Sequence, residues 1–343
     1  MMSTASVSHF SIHGLDLSFH STSSAISTSA QHHLRYFLQG SLPPPGSLRI
    51  IFEAVNHATS IPVTISPTAR RLFSRPVEEG GGSTWIDWPC EVSQDHTQLI
   101  INFFSRGLLL IDGYAGEARG YLVNPESMHP DLYVRFVHSA LVELLKWKKF
   151  YTIHATALEK DGWGVLITGA SGQGKTTTFL SLLRSGYRCL SDDHPFIHEN
   201  GNAIEVLAFP DKVNVRENTI NLFPELKNAG AFLHQGMTKR YFYVEDLYPA
   251  GIGRSCVLKI LLFPHVVDQS TSWLEPIPKS QALADLLPHG LLVYNPQVAK
   301  QEFQTLTNLV QQVDCFRLHF GRDVLEVPRL IDPILEKAKE HEM

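Results

Sequence analysis

The sequence predicts an α/β fold organised around a phosphate-binding loop, preceded by a smaller α+β region. Three observations support this prediction. A glycine-rich turn within Val165–Thr176 joins a short apolar run to a helix with apolar residues at helical spacing. Two strand-like runs meet just before it at Asp161-Gly162, a pair typical of a tight hairpin turn. A further short strand then ends in Asp192 and Asp193. We therefore expect a strand, a loop and a helix with carboxylates close by.

The glycine-rich turn reads GASGQGKT and fits the Walker A template, G-x-x-x-x-G-K-[ST]. Glycines permit positive φ, so successive backbone N–H groups can wrap a phosphate, and the following helix adds its unpaired N-terminal donors. Lys175 is expected to reach the β- and γ-phosphates, and the Thr176 hydroxyl to bind Mg²⁺. The predicted nucleotide-binding residues are Gly169, Ala170, Ser171, Gly172, Gln173, Gly174, Lys175, Thr176 and Thr177.

The residues around this loop add candidate catalytic groups. Carboxylates at the tip of a strand beside a phosphate loop can hold Mg²⁺ or accept a proton. Neighbours in a strand point to opposite sides, so one of Asp192 and Asp193 can serve the metal and the other the acceptor. The hairpin can lay His154 beside the loop. Arg254 is one of several cations near strand ends that could meet a triphosphate, with ordinary surface charge as the alternative.

Composition restricts the partners that we expect. A formal net charge of -5 gives no general attraction to nucleic acid or to anionic membranes. The longest apolar runs are far shorter than a membrane span, and the N-terminus lacks the pattern of a secretory signal. The four cysteines are scattered without a C-x-x-C pair, which fits free thiols in a reducing compartment. We expect a cytoplasmic protein that binds neither nucleic acid nor membrane.

Patterning divides the chain into an N-terminal α+β accessory domain, residues 1–125, and a P-loop domain, residues 126–343. The first region has no motif of its own. Its predicted elements are a hairpin over 9–21, a helix over 24–39, strands over 48–55, 97–104, 107–114 and 118–124, and a flexible loop over 75–84. The later ones are helices over 131–149, 217–222, 280–287 and 296–313 and from Arg329, and strands within 187–190, 239–247, 251–264 and 315–320.

The segment HATALEKDGWGVLITGASGQGKTTTFLSLLRSGYRCLSDD resembles the catalytic core of HPr kinase/phosphorylase and its relatives, the HPr-kinase-like serine kinases. In that family a histidine stands on the strand before the loop, the loop reads G-x-S-G-x-G-K-[ST], and a D-D pair ends the next long strand. All three elements occur here in the same order. The resemblance implies that the second domain has the HPr kinase C-terminal fold, which is shared with ATP-dependent phosphoenolpyruvate carboxykinase.

The resemblance also implies roles for individual residues. Gly169–Thr176 would cradle the triphosphate of ATP, and Thr176 and Asp193 would contact Mg²⁺. Asp192 would take the proton from the acceptor hydroxyl, with His154 close by to position or polarise it. Arg254, in a G-R step before an apolar strand, would match a family arginine near the phosphates.

Departures from the family pattern bear on the substrate. Thr176 replaces the serine usual in true HPr kinases, Ala155 follows the histidine where those enzymes carry glycine, and their signature loop has no clear counterpart. These differences favour a related kinase over a true HPr kinase. The predicted function is transfer of the γ-phosphoryl group of ATP to a hydroxyl of serine in a peptide, protein or small molecule. A non-catalytic ATP-binding switch and a carboxykinase-like enzyme stay open as alternatives, as does a homo-oligomer.

Overall fold

The computed structural model describes residues 6–75, 89–128, 130–228, 232–233, 239–290 and 294–342. It confirms the predicted α/β class, because large sheets are combined with helices throughout. The chain divides into two compact units, one of Met1–Lys149 with Val293–Ala299 and the other of Phe150–Leu292 with Lys300–Met343. The helix after residue 129 thus falls in the first unit. The predicted domain boundary between residues 125 and 126 stays a prediction.

Within the described residues, the first unit contains a nine-stranded sheet and two helices. Its strands are β1 (Ser6–Ile12), β2 (Leu15–Ser21), β3 (Leu38–Gln39), β4 (Leu48–Val55), β5 (Arg70–Arg75), β6 (Cys90–Asp95), β7 (Gln98–Asn102), β8 (Gly107–Asp112) and β9 (Glu117–Val123). Its helices are α1 (Ser24–His33) and α2 (Pro130–Lys146). The sheet order is β3-β1-β2-β4-β9-β8-β7-β6-β5. The β1–β2 hairpin and the strands β7, β8 and β9 are antiparallel, which confirms the strands predicted in these segments.

Helix α1 is shorter than its sequence pattern predicts. The N-cap is Ser23, whose side chain accepts a hydrogen bond from the Ile26 backbone N–H, but the helix ends at His33 and not at residue 39. Leu38 and Gln39 instead pair with the edge strand β1. Backbone pairing with a strand distant in sequence therefore overrides the local preference for helix. The predicted flexible loop over 75–84 lies, from residue 76 onward, outside the described residues.

The second unit contains the remaining elements. Its strands are β10 (Tyr151–Thr152), β11 (Ala155–Lys160), β12 (Trp163–Thr168), β13 (Arg188–Ser191), β14 (Phe196–Asn200), β15 (Ala203–Leu207), β16 (Val213–Arg216), β17 (Phe232–Leu233), β18 (Lys239–Phe242), β19 (Ser255–Val266), β20 (Trp273–Pro276) and β21 (Asp314–Phe320). Its helices are α3 (Lys175–Arg184), α4 (Glu217–Ile220), α5 (Glu225–Asn228), α6 (Val244–Leu247), α7 (Lys279–Gly290), α8 (Pro296–Gln312), whose first residues are grouped with the first unit, and α9 (Pro328–Glu342).

Strand β12 is central to the larger sheet of this unit. It pairs antiparallel with β11 and parallel with β19, which is itself parallel to β21. The predicted hairpin is confirmed: β11 and β12 meet at Asp161 and Gly162, both of which have positive φ. Val165 and Ile167 face the hydrophobic cluster that includes α3, whereas Leu166 faces a second cluster on the opposite side. Because both faces are covered, the strand reads as a continuous apolar run.

Helix α3 packs on β12 and ends just before a glycine. Phe179, Leu180, Leu182 and Leu183 are all buried in the same cluster as Ile167. The chain then turns at Gly186, whose φ of 89° is in the left-handed region that favours glycine. The backbone N–H groups of Gly186 and Tyr187 donate to the carbonyls of Leu183 and Leu182, at 3.1 and 3.2 Å, so the last turn of the helix is satisfied.

Two parts of the second unit differ from the sequence predictions. An antiparallel hairpin, β14–β15, occupies a segment for which no element was predicted. The predicted strand over 239–247 is a strand only to Phe242, and α6 follows it. Its partner β16 begins at Val213, opposite Phe242, so the ladder has no partner beyond that residue.

None of the helices in the described ranges is both long enough and apolar enough to cross a bilayer. The four cysteines, Cys90, Cys189, Cys256 and Cys315, are all buried as free thiols.

Candidate functional site

The glycine-rich turn connects the end of β12 to the first residue of α3. Gly172 and Gly174 have φ values of 88° and 100°, which L side chains rarely adopt. Nothing lies within 4 Å of the position a Cβ would take at Gly172, so conformation and not space requires glycine there. The loop is braced from within: the Gln173 side-chain carbonyl accepts a hydrogen bond of 3.0 Å from the Ala170 backbone N–H.

Lys175 begins α3 and turns back over the loop. Its ammonium donates to the carbonyl of Gly169 at 2.5 Å and approaches the carbonyl of Ala170 at 3.5 Å. The lysine charge is therefore held at the mouth of the loop. Thr176 and Thr177 follow in the first turn of α3, half-buried and buried respectively, where helical N–H groups lack partners within the helix.

The Asp192–Asp193 pair follows β13 and lies beside β11. The Ala155 N–H donates to the carbonyl of Asp193 at 3.1 Å, and the Thr156 hydroxyl donates to the carbonyl of Asp192 at 2.8 Å. Ala155 is in turn the partner of Thr168, the last residue of β12 before the loop. Strand pairing thus brings both carboxylates to the end of the sheet that carries the phosphate loop.

The two carboxylates have different neighbours. Asp193 lies between two histidines, 3.3 Å from His154 Nε2 and 3.2 Å from His194 Nε2, and is 54% exposed. Asp192 Oδ2 instead accepts a hydrogen bond from the Asn214 backbone N–H at 3.4 Å. Asp193 thus contacts two imidazoles, and Asp192 contacts a backbone amide of β16.

His154 lies at the break between β10 and β11, and its backbone is fixed on two sides. Its N–H donates to the carbonyl of His289 at 2.7 Å, and its own carbonyl accepts from the Thr168 hydroxyl at 3.4 Å. The rings of His194 and His289 are centred 6.0 and 6.2 Å from that of His154. His154 and His194 therefore flank the Asp193 carboxylate, and His289 lies behind the His154 ring.

The charges near this carboxylate shift its pKa and those of its neighbours. Desolvation by surrounding protein atoms raises the pKa of Asp193, but the charge and hydrogen bond of His194, together with His154 and Lys175, hold the pKa well below its usual range. Desolvation lowers the pKa of His194, but Asp193 outweighs it and raises that pKa. Burial, followed by the charges of His154 and Lys175, lowers the pKa of His289 to about 4. Asp193 is therefore a carboxylate, and His289 a neutral imidazole, at neutral pH.

Arg254 does not join these groups. It immediately precedes β19, at the end where the parallel strand β12 begins, whereas the loop follows the other end of β12. Gly169 adjoins Pro264 near the far end of β19. Nine residues separate Ser255 from Pro264, roughly 30 Å of extended strand, which an arginine side chain cannot span. The predicted role of Arg254 at the phosphates thus gains no support from the geometry.

Sequence reasoning missed several polar groups at the site. Arg216 donates through Nη2 to the Ser171 hydroxyl of the loop at 3.3 Å, and Asn214 of the same strand contacts Asp192. His194 and His289 also lie at the site. The sequence VNVR alternates apolar and polar residues, which is typical of a strand and could have predicted β16. Its pairing with β18, which lies more than 20 residues further along the chain, cannot be read from the local pattern.

Comparison with known proteins gives short matches to one named family. No family model matches the chain. It is 43% identical over 60 residues to the HPr kinase/phosphorylase of Lactobacillus acidophilus, covering 17% of this chain and 19% of that protein. It is 48% identical over 48 residues to that of Pediococcus pentosaceus, covering 14% and 15%, and 38% identical over 61 residues to that of Bacillus cereus, covering 18% and 20%. The matched part thus spans about a fifth of the length of these relatives.

Among solved structures, the Hpr(Ser) kinase/phosphatase from Coxiella burnetii aligns at 15% identity with a TM-score of 0.29, covering 56% of this chain and 97% of that one. A TM-score this low does not support a common fold. The named relatives confirm the resemblance to the HPr kinase/phosphorylase family that the motifs indicate.

Proposed function

We propose that the second unit is an ATP-dependent kinase that transfers the γ-phosphoryl group to a serine hydroxyl of a peptide, protein or small molecule. One observation carries the proposal: the Lys175 loop and the carboxylates of Asp192 and Asp193 meet at the same end of one sheet. A switch that only senses ATP would require the loop alone. Transfer of the phosphoryl group requires in addition a base and a metal ligand beside the loop. The named relatives, which are kinases, support the same class of reaction.

The donor half of the proposed site is the segment Gly169–Thr177. Its backbone N–H groups and the first turn of α3 bind the triphosphate, because helix N-termini and glycine-rich turns present unpaired donors to anions. Lys175, which the loop carbonyls hold at its mouth, neutralises the phosphates. Phosphoryl transfer needs little covalent chemistry from the protein, so alignment and charge neutralisation account for most of the catalysis.

The residues present fit Mg²⁺. Thr176 supplies a hydroxyl at the start of α3, and Asp193 supplies a carboxylate whose lowered pKa keeps it charged. Oxygen ligands of this kind are those that Mg²⁺ takes in nucleotide sites. When bound, the ion neutralises charge on the phosphate oxygens. His154 Nε2 contacts the same carboxylate at 3.3 Å and would help to hold it in place.

Asp192 is the proposed base of the acceptor half. The serine oxygen forms a bond to the γ-phosphorus while the bond from that phosphorus to the β–γ bridging oxygen breaks. Asp192 takes the hydroxyl proton, and ADP leaves. The Asn214 N–H orients the Asp192 carboxylate through Oδ2. Arg254 has no part in this proposal.

The named relatives carry HPr in their names, but the departures at Ala155 and Thr176 lead us to propose a different serine as the acceptor. We also propose that the second unit has the P-loop fold of the HPr kinase C-terminal and phosphoenolpyruvate carboxykinase type. The N-terminal α+β domain is then an accessory domain of a cytoplasmic enzyme.

Transfer from ATP labelled in the γ-phosphate tests this function. The full-length protein is incubated with Mg²⁺, labelled ATP and three separate acceptor pools: free serine, cell-extract peptides and cell-extract proteins. We expect label in the serine hydroxyl of one pool. ATP binding without labelled product in any pool would overturn the kinase and favour a nucleotide-binding switch.

A further inference from the structure

Strand β16 belongs to a small antiparallel sheet, ordered β16-β18-β17, beside the proposed site. Its residues alternate in environment. Val213 and Val215 are fully buried in the hydrophobic cluster that also contains α3, whereas Asn214 and Arg216 lie on the opposite face of the strand. The two valines anchor the strand, so the positions of the two polar residues are fixed relative to α3.

Strand β16 contacts both halves of the proposed site, once through a side chain and once through its backbone. The Arg216 guanidinium donates to Ser171 of the phosphate loop at 3.3 Å, and the Asn214 N–H donates to Asp192 at 3.4 Å. Residues two apart in a strand are separated by roughly 6.5 Å. The phosphoryl group to be transferred must lie between the loop and the base. Arg216 contacts the loop and Asn214 contacts the base, so the two residues span this gap.

We propose that Arg216 binds the terminal phosphate of a nucleoside triphosphate and that β16 thereby sets the Asp192 carboxylate for the acceptor. This inference rests on the proposed function. On nucleotide binding the guanidinium exchanges the neutral Ser171 hydroxyl for phosphate oxygens. That exchange is favourable, because charge-assisted hydrogen bonds are roughly twice as strong as neutral ones and the planar guanidinium can bind two phosphate oxygens at once.

This change of the Arg216 partner, from Ser171 to phosphate, distinguishes a triphosphate from a diphosphate. With ADP the γ-phosphate is missing, and Arg216 stays hydrogen-bonded to Ser171. With ATP it holds β16 against the loop, and the Asn214 N–H, two residues away, is held on Asp192. The sheet therefore links occupancy of the donor half to the geometry of the base.

Arg240 provides a matched control on the same small sheet. It lies on β18 opposite Val215, and its guanidinium pairs with Glu217 at 3.3 Å. Arg240→Ala therefore removes the same charge from the same sheet while leaving the Arg216 contact with Ser171 in place. Thermal unfolding of each variant shows whether the fold is kept.

The test compares ATP and ADP affinities, by calorimetric titration, for the wild-type protein and for Arg216→Ala, Arg216→Lys and Arg240→Ala. We expect Arg216→Ala to weaken ATP binding by roughly 10- to 100-fold, as for loss of a hydrogen bond to a charged group, with ADP affected far less. Arg216→Lys should recover part of the loss, since lysine keeps the charge without the planar fork. Arg240→Ala should leave both affinities as in the wild type.

Hydrogen exchange of the Asn214 amide provides the second measurement. ATP should slow this exchange more than ADP does in the wild-type protein, and the difference should vanish in Arg216→Ala. If the wild-type protein binds ATP but Arg216→Ala keeps the wild-type ratio of ATP to ADP affinity, the inference is wrong and the kinase proposal is untouched. If the wild-type protein binds neither nucleotide, the proposed function is wrong, and this inference falls with it.

Discussion

At the scale of single residues, the loop holds its own lysine. The Lys175 ammonium lies on the carbonyls of Gly169 and Ala170, which offer only partial negative charge. Phosphate oxygens carry full charge and form stronger charge-assisted hydrogen bonds. Replacement of these carbonyls by a triphosphate is therefore favourable, and the lysine is already close to where it is needed.

Lys175→Ala should weaken ATP affinity by roughly tenfold or more, because it removes hydrogen bonds from a charged donor. The thermal unfolding midpoint should change little, since the partners that the ammonium loses are loop carbonyls at the edge of the site. Calorimetric titration of ATP measures the effect. Lys339→Ala, which breaks an exposed pair with Asp161 at the far end of the β11–β12 hairpin, is the control. Unchanged ATP affinity in Lys175→Ala would contradict the phosphate-binding role of the loop.

Residues close together in sequence could be placed from the sequence, whereas those brought together by distant pairing could not. The loop, Lys175 and the Asp192–Asp193 pair belong to one local pattern of strand, loop, helix and strand. Arg216 reaches the loop only because β16 pairs with β18. The position of Arg254 could not be read from the sequence, because a G-R step before an apolar strand does not tell which end of that strand adjoins the loop. The parallel register with β12 decides that.

At the scale of elements, helix α7 ends at the site with His289 in its last turn. The helix dipole favours a protonated histidine there by about 0.3–1 kcal/mol. Burial, followed by the charges of His154 and Lys175, acts in the opposite direction and outweighs the dipole, so the pKa of His289 is lowered to about 4. The folded protein therefore holds this imidazole neutral over a range in which the unfolded chain, with the ordinary histidine pKa of about 6.5, protonates it.

The sign of the pH effect follows from this difference. Between about pH 6.5 and 4 the unfolded chain binds a proton that the folded state does not, so the free energy of unfolding falls as pH falls. Below about pH 4 both states are protonated, and this group causes no further loss. His289→Gln should flatten the decline between pH 6.5 and 4 in urea unfolding. His57→Gln, at an exposed position in the first unit, controls for loss of an imidazole. A decline as steep in His289→Gln as in the wild type would contradict the assignment.

Element boundaries were predicted well where the pattern is local and less well where pairing sets them. The strands β4, β8 and β12 and the start of α9 lie close to their predicted positions, because apolar periodicity and turn residues mark them. The end of α1 and the length of β18 depend on partners elsewhere in the chain, and both were predicted too long.

At the scale of the whole molecule, helix α2 is part of the first unit's core. The Phe136 ring packs on Phe103, with centroids 4.8 Å apart, and its edge would lie 3.2 Å from a Cβ at Gly107 of β8. Leu141 and Leu144 are fully buried. A fragment that begins at residue 126 would carry this apolar face without the strands that cover it, and large exposed apolar patches promote association.

A fragment of residues 150–343 should therefore be monodisperse and bind ATP, whereas one of residues 126–343 should aggregate. Size-exclusion chromatography with light scattering measures the first property, and calorimetric titration the second. The shorter fragment uncovers Tyr294 and Val298, two buried residues of the short segment that is grouped with the first unit, but it does not carry α2. Equal behaviour of the two fragments would instead favour the predicted boundary at residue 126.

The central claim is that Asp192 takes the acceptor proton in a transfer for which the loop supplies the phosphoryl group. The most direct test measures two properties of Asp192→Asn. One is transfer of the γ-label to the acceptor pool that the wild-type protein labels, and the other is the affinity for ATP. Asp268→Asn, at an exposed carboxylate that pairs with Arg322, is the matched control. We predict that Asp192→Asn binds ATP nearly as well as the wild type while transfer falls by roughly 10²- to 10⁴-fold, as for loss of a general base. Transfer by Asp192→Asn at the wild-type rate would contradict the claim.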